Sequence, residues 1–167
     1  MPTNVLIVSP DDQLSIQIEH LLDEYAPDMY HIESALDLND KTPQVNAVIV
    51  DEDLIGRDPE VHLARLSFEI YPHPLIYLVD NIQSERAFKS IRSLATDYLL
   101  KDHMSGAVLH NSLKYAVEST RLRLELEKQQ NRYKSLFYNS IDPAFFLKSD
   151  WSIENVNSAF SSLFEID

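Results

Sequence analysis

"AVIVDEDLIG", residues 47–56, decides the fold class, because an apolar run of strand-forming residues ends there abruptly in the acid Asp51. The run lacks the alternation of a half-buried strand, so both of its faces are expected to be covered, as in a parallel sheet. Similar runs recur along the chain. Together they predict five strands, at residues 4–9, 29–35, 45–51, 75–79 and 97–100.

Patterns of helical spacing separate these strands. The helix after the first strand has Asp11 or Asp12 as its cap and an apolar side formed by Leu14, Ile18, Leu21, Leu22 and Tyr25. The helix predicted near residues 60–70 has an apolar side formed by Val61, Ala64, Leu66 and Phe68. Another begins near Ser84 and a long one at Ser105, whereas residues 36–44 are too few and too polar for a long helix. The alternation predicts an α/β fold with helices on both faces of a parallel sheet.

The carboxyl ends of parallel strands form the crevice in which such folds place their functional groups. The residues expected at this end of the sheet are Ser9, Pro10, Asp11, Asp12, Asp51, Val79, Asp80 and Lys101. Three strand ends therefore bring acids, and a fourth brings one lysine, to the same edge.

The composition excludes several classes of function. A net charge of −13 argues against nucleic acid or an anionic membrane as partner, and residues 1–60 alone carry 14 acids and 2 bases. Without cysteine the chain has no disulfide, thiolate nucleophile or cysteine zinc site. His103 and His110 lie two helical turns apart, too far to share a metal. No apolar run reaches the roughly 18 residues of a membrane span, so a cytoplasmic location is expected.

Four segments, in the order "VLIVSPDD", "AVIVDEDL", "PLIYLVDN" and "TDYLLKD", resemble the blocks of response-regulator receiver domains over about residues 3–118. The resemblance implies a flavodoxin-like sheet of strand order 2-1-3-4-5. It implies that Asp51 is the phosphoacceptor, Lys101 the family's lysine, and Val79 and Tyr98 the switch positions. In an active site of this kind, Mg²⁺ would be held by Asp11, Asp12, Asp51 and Asp53.

Two positions depart from the family pattern. Ser9 and Pro10 stand where the family has its metal-binding acid pair, and Val79 stands where it has a hydroxyl. We interpret the domain as a degenerate pseudo-receiver without a cofactor. One alternative is a working receiver in which Asp11 or Asp12 rescues Mg²⁺ binding and a histidine kinase supplies the phosphoryl group. The other is a purely structural ion pair between Asp51 and Lys101.

The long helix is expected to run from Ser105 to about Phe137, since this stretch has no proline. Beyond Thr120 its apolar residues follow the heptad steps of a parallel coiled coil, with a polar residue inside the seam: Leu122, Leu126, Gln129, Tyr133 and Leu136. A dimerising helix is the favoured interpretation, and a solvated helix with one apolar stripe is the alternative. The receiver resemblance adds a second dimer surface, made by the family's fourth helix, fifth strand and fifth helix.

Residues 132–167, from "RYKSLFYNS" through "PAFFLKS" and "SIENVN" to "SAFSSLF", resemble the opening of a PAS sensory domain. The expected organisation is a receiver-like domain at 1–119, a helical linker at 120–138 and an incomplete PAS segment at 139–167. The resemblance implies an input and dimerisation module without enzymatic turnover. Its output domain would be a histidine kinase or a cyclic-di-GMP enzyme with GGDEF or EAL domains, outside these residues.

Overall fold

The computed structural model describes residues 2–36, 44–54, 59–80 and 94–165. The chain divides into two compact units, Met1–Arg121 and Leu122–Asp167. The helix predicted from about Ser84 and most of the stretch at 36–44 lie outside the described residues. Within the described ranges, no helix is both long and apolar enough to cross a membrane.

The first unit contains a five-stranded sheet in the order β2-β1-β3-β4-β5 with every pairing parallel. This confirms the predicted flavodoxin-like topology. The strands are β1 (Thr3–Val8), β2 (Tyr30–Ala35), β3 (Ala47–Asp51), β4 (Leu75–Val79) and β5 (Asp97–Leu100). The helices, numbered as the structure describes them, are α1 (Asp12–Tyr25), α2 (Pro59–Glu69) and α3 (Gly106–Tyr138).

The central strands are buried on both faces because helices cover each face. On one face, α1 and α3 pack on alternate strand residues such as Val5, Ile49 and Ile76. On the other, α2 packs on the intervening residues, such as Leu6 and Val50. Two-sided burial is why these strands are apolar throughout rather than alternating.

Helix α2 buries a different side from the one predicted. The structure buries Leu63 and Ile70, with Leu66 partly covered, while Val61 is exposed and Phe68 is 84% exposed. Of the four predicted residues, Leu66 is partly covered as expected, whereas Val61, Ala64 and Phe68 are exposed. These three have the same spacing as the covered residues at 63, 66 and 70, with an offset of two residues. Two residues turn a helix by about 200°, so these are opposite sides of α2 and only packing against the sheet distinguishes them.

Two residues show how the sequence positions α1 and α3 on their face of the sheet. Asp11 caps α1 by accepting a hydrogen bond from the Gln13 amide at 2.9 Å. Gly106, the first residue of α3, lies so close to α1 that a Cβ there would clash with the Leu21 carbonyl oxygen and the Tyr25 Cβ. Glycine is therefore required for the close approach of the two helices.

The second unit contains an antiparallel hairpin, β6 (Phe145–Leu147) and β7 (Ile153–Val156), followed by α4 (Ser158–Phe164). These elements occur in the predicted order. The buried Asn157 joins them, since its Oδ1 accepts from the Ala144 and Phe160 amides and its Nδ2 donates to the Phe137 and Asp142 carbonyls. All four hydrogen-bonding positions of one amide are thus satisfied.

Candidate functional site: the rim at Asp51

The parallel topology brings the ends of four strands together, and we call the side chains there the rim, defined as Ser9, Asp51, Asp53, Asp80 and Lys101. Ser9 follows β1, and the pairing of Val8 with Val50 places it beside Asp51 at the end of β3. Asp80 follows β4, and Lys101 follows β5. The predicted edge of acids and one lysine is present at the carboxyl ends of the strands.

Asp51 lies at the centre of the rim and is fully buried, with 0% exposure. Its Oδ2 accepts a hydrogen bond from the Ser9 hydroxyl at 2.7 Å. Its Oδ1 accepts from the Lys101 ammonium at 2.7 Å and from the Asp53 amide at 3.2 Å. Both carboxylate oxygens are therefore satisfied by donors from the protein itself, which is how a buried charge is tolerated.

The Lys101 ammonium forms ion pairs with three carboxylates. Its Nζ lies 2.7 Å from Asp51, 3.0 Å from Asp53 and 3.0 Å from Asp80, and its side chain is only 15% exposed. Burial alone would lower the pKa of Lys101, but the hydrogen bonds to the three carboxylates outweigh burial and raise that pKa above its usual value. The ammonium is charged at any physiological pH.

Two further groups respond to the charge of the rim. Glu52 accepts a hydrogen bond from the Asp80 amide, and burial, together with the nearby Asp80 carboxylate, raises the pKa of Glu52. Burial also raises the pKa of the Tyr77 phenol, and the negative charges of Glu52 and Asp51 add to that effect. The negative charge of the rim therefore contributes to the raised pKa of residues that do not contact Lys101.

The residues predicted to hold Mg²⁺ are divided between two tasks. Asp51 and Asp53 bind Lys101, whereas Asp11 caps α1 and Asp12 is the first residue of that helix. No group of three or more His, Asp or Glu side chains in the described ranges is arranged to hold a metal ion. Because both oxygens of Asp51 already accept hydrogen bonds, the present arrangement does not fit a hard cation that demands several free oxygen ligands.

The two predicted switch positions lie on the α2 face of the sheet. Val79 is buried at the end of β4 and offers only methyl groups. Tyr98 is partly buried in β5, in register with Tyr77 on β4. Residue 79 supplies no hydroxyl. The hydroxyl that contacts Asp51 belongs to Ser9, which follows β1, on the opposite side of β3 from β4.

Ser9 was predicted to lie at this edge and to replace an acid, but its hydrogen bond to Asp51 was not predicted. The signal was available, since strand order 2-1-3 makes the residue after β1 a neighbour of the residue that ends β3. The ion pair between Asp51 and Lys101 was an alternative interpretation and is present. The participation of Asp53 and Asp80 in the same ion-pair cluster was not predicted.

No protein-family model matches the chain, and no curated protein matches it in sequence. Solved structures do match. NtrX from Brucella abortus, in complex with ADP, aligns with a TM-score of 0.61 and 20% identity over 80% of this chain and 30% of that one. A response regulator receiver domain protein from Clostridium thermocellum aligns with a TM-score of 0.57 and 16% identity over 72% of this chain and 98% of that one.

The signal receiver domain of a modulated diguanylate cyclase from Desulfovibrio desulfuricans G20 aligns with a TM-score of 0.53 and 20% identity, over 74% of this chain and 99% of that one. The five-stranded unit has the receiver fold. At these identities the likeness establishes the fold alone, and this chain spans less than a third of NtrX. Within the receiver fold, the rim is the edge at which Asp51 and Lys101 were predicted to meet.

Proposed function

We propose that this chain is a receiver-like signalling module that does not accept a phosphoryl group and acts through protein contacts made by α3. The observation that carries the proposal is that both carboxylate oxygens of Asp51 already accept hydrogen bonds from the protein. Its two oxygens accept from Ser9, Lys101 and the Asp53 amide, so the carboxylate is held inside the protein by its own donors.

Phosphoryl transfer to a carboxylate depends on positioning and on neutralising the charge of the transferred oxygens. A dication and a hydroxyl donor would supply both, yet the side chains at positions 10 and 79 are a proline ring and an isopropyl group. To attack phosphorus, Asp51 would have to give up the Ser9 or Lys101 hydrogen bond without a metal to replace it. The proposal therefore includes no cofactor and no catalytic turnover.

The test is amide NMR during titration with Mg²⁺ and beryllofluoride, a mimic of the phosphoryl group. The amides of Asp51, Tyr98 and Lys101 are expected not to shift in a saturable way. A matched variant, Ser9→Asp/Pro10→Asp/Val79→Thr, restores the missing ligands and hydroxyl and is expected to respond. Saturable shifts in the unaltered chain at millimolar Mg²⁺ would establish the alternative function, a phosphoaccepting receiver served by Asp11 or Asp12.

The proposal assigns α3 to dimerisation. From Leu122 onward the predicted seam residues lie in the second unit and are solvent-exposed: Leu122, Leu126, Gln129, Tyr133 and Leu136. An isolated helix gains little from propensity alone, whereas a parallel coiled coil would cover this stripe at heptad spacing. We assign the stripe to a second copy of the chain.

Light scattering at high micromolar concentration tests the dimer. The full chain is expected to be dimeric, and both truncation after Ser119 and the seam substitution Leu126→Glu are expected to give monomers. Glu125→Gln, one residue off the seam, is the matched control and should remain dimeric. A monomeric full chain would contradict this assignment while leaving the assignment of the rim intact.

The module would pass its state from the receiver-like unit to the second unit, which we propose is the opening of a PAS domain. The candidate outputs are a cyclic-di-GMP enzyme, as in the modulated diguanylate cyclase whose receiver domain shares this fold, and a histidine kinase. The proposed setting is cytoplasmic. Pull-down with the PAS and output segments of the full reading frame would test this relay.

A further inference from the structure

A cavity of about 330 Å³ lies at the end of the sheet opposite the rim. Thr3 begins β1 and Tyr30 begins β2, so this cavity borders the amino-terminal ends of the strands. Helix α3 forms its longest wall. The lining residues are Thr3, Met29, Tyr30, His110, Leu113, Lys114, Val117, Glu118 and Arg121.

The cavity combines an apolar floor with fixed polar groups. Leu113 is buried and Val117 is half-buried, and together with Met29 they provide the apolar surface. The Tyr30 hydroxyl and the His110 Nδ1 are 2.9 Å apart and hydrogen-bonded, which fixes both rings at the wall. Mostly apolar clefts of this volume with a few placed polar groups are typical small-molecule sites.

Two cations mark one side of this cavity. Lys114 and Arg121 are seven residues apart, so two helical turns bring them to the same side of α3, and both line the cavity. Within the described part of the chain neither forms an ion pair. In a chain of net charge −13, two free cations beside an apolar cavity are a local exception.

A second cavity differs from the cavity beside α3 in the charge of its lining. It has a volume of about 460 Å³, lies between α1 and β2, and is lined by Glu19, Asp23 and Asp28. Its charge would repel an anion, whereas the cavity beside α3 would attract one. Glu118 also lines the cavity beside α3 and would disfavour a doubly charged ligand.

We propose that the cavity beside α3 binds a small monocarboxylate with an apolar body, its carboxylate facing Lys114 and Arg121 and its body on Leu113 and Val117. Roughly 30 Å³ per water-sized group gives room for on the order of ten non-hydrogen atoms, the size of an aryl or short alkyl carboxylic acid. A guanidinium and an ammonium suit a carboxylate, and the floor excludes a wholly polar anion such as free phosphate.

Six of the nine lining residues belong to α3 and the remaining three to the β1–β2 edge. A bound ligand would therefore join the start of α3 to the sheet and stabilise that arrangement by mass action. If α3 relays state as proposed above, this ligand is a candidate input. The binding itself does not depend on that proposal.

Fluorine NMR of para-trifluoromethylbenzoate titrated with the full chain tests the site. Saturable binding in the low-millimolar range is expected, weakened about fivefold by Lys114→Gln and by Arg121→Gln, as for partly exposed charge pairs. Lys134→Gln, an exposed lysine elsewhere on α3, is the matched control and should bind as the unaltered chain does. The neutral para-trifluoromethylbenzamide should bind more weakly than the acid.

Three outcomes would overturn the proposal. They are the absence of saturation, equal affinity for the acid and the amide, and equal weakening by Lys134→Gln. A Met29→Trp variant gives a second check, because a large ring at the mouth of the cavity should displace the benzoate without altering any charge. Unchanged affinity in that variant would place the ligand elsewhere.

Discussion

Replacing Lys101 with methionine removes the ammonium while keeping a side chain of similar length. The fully buried Asp51 would then carry a charge that no cation in the described residues neutralises. Removing one partner of a buried ion pair typically costs 3–5 kcal/mol. Asp53 and Asp80 are largely exposed, so each of their pairs adds little. We expect a loss of about 3 kcal/mol, on the order of a hundredfold in the folding equilibrium constant.

Urea unfolding followed by far-UV circular dichroism measures this loss. Trp151, the only tryptophan, lies in the second unit, so its fluorescence reports separately on that unit. In an Asp51→Asn background, where the buried group is neutral, Lys101→Met should cost less than about 1 kcal/mol. Lys134→Met is the control for loss of an exposed lysine. Equal costs in both backgrounds would refute the claim that Lys101 neutralises Asp51.

Three further outcomes are expected in the same unfolding assay. Gly106→Ala should lose on the order of 2 kcal/mol despite its better helix propensity, because the added Cβ collides with Leu21 and Tyr25. Asn157→Ala should destabilise the second unit by roughly 2–4 kcal/mol, since four hydrogen-bond partners are left unsatisfied, and early proteolytic cleavage at the hairpin would report it. Because the pKa of Glu52 is raised, the stability that this group contributes is fully present below the ordinary carboxyl pKa and is lost as pH rises through the raised value. Glu52→Gln, which stays neutral, should therefore gain stability relative to the unaltered chain as pH rises above the ordinary carboxyl pKa.

The sheet could be predicted because its sequence signal is local. The strand at 75–79 is five consecutive apolar residues, and only a strand covered on both faces needs that composition. A parallel arrangement then follows from the helices between strands, and it places the strand ends at one edge. Asp51 and Lys101 could be assigned to one site from the sequence, because Asp51 ends β3 and Lys101 directly follows β5.

The remaining contacts depend on three-dimensional adjacency. The two stripes of α2 have the same spacing, and nothing local to the helix selects Leu63 over Val61. The ion pairs of Lys101 with Asp53 and Asp80 depend on the conformation of a flexible side chain that has several acids within reach. Asn157 precedes α4 as an ordinary helix cap, but its two donated hydrogen bonds go to residues 15 and 20 positions earlier.

The charge of the rim adds a second physical reason for the proposed function. Asp51, Asp53 and Asp80 with Lys101 give a net charge of −2 within about one side-chain length. Phosphorylation would replace the single charge of the Asp51 carboxylate with about two charges on the phosphoryl oxygens, so it adds about one negative charge to the rim at neutral pH. Two unit charges 4 Å apart interact by about 4 kcal/mol at an effective dielectric of 20. A dication would offset that repulsion, whereas one ammonium already shared among three carboxylates cannot. Introducing a hydroxyl at position 79 alone would therefore leave the charge repulsion in place. Introducing an acid pair at positions 9 and 10, which could hold a dication, is the substitution expected to offset it.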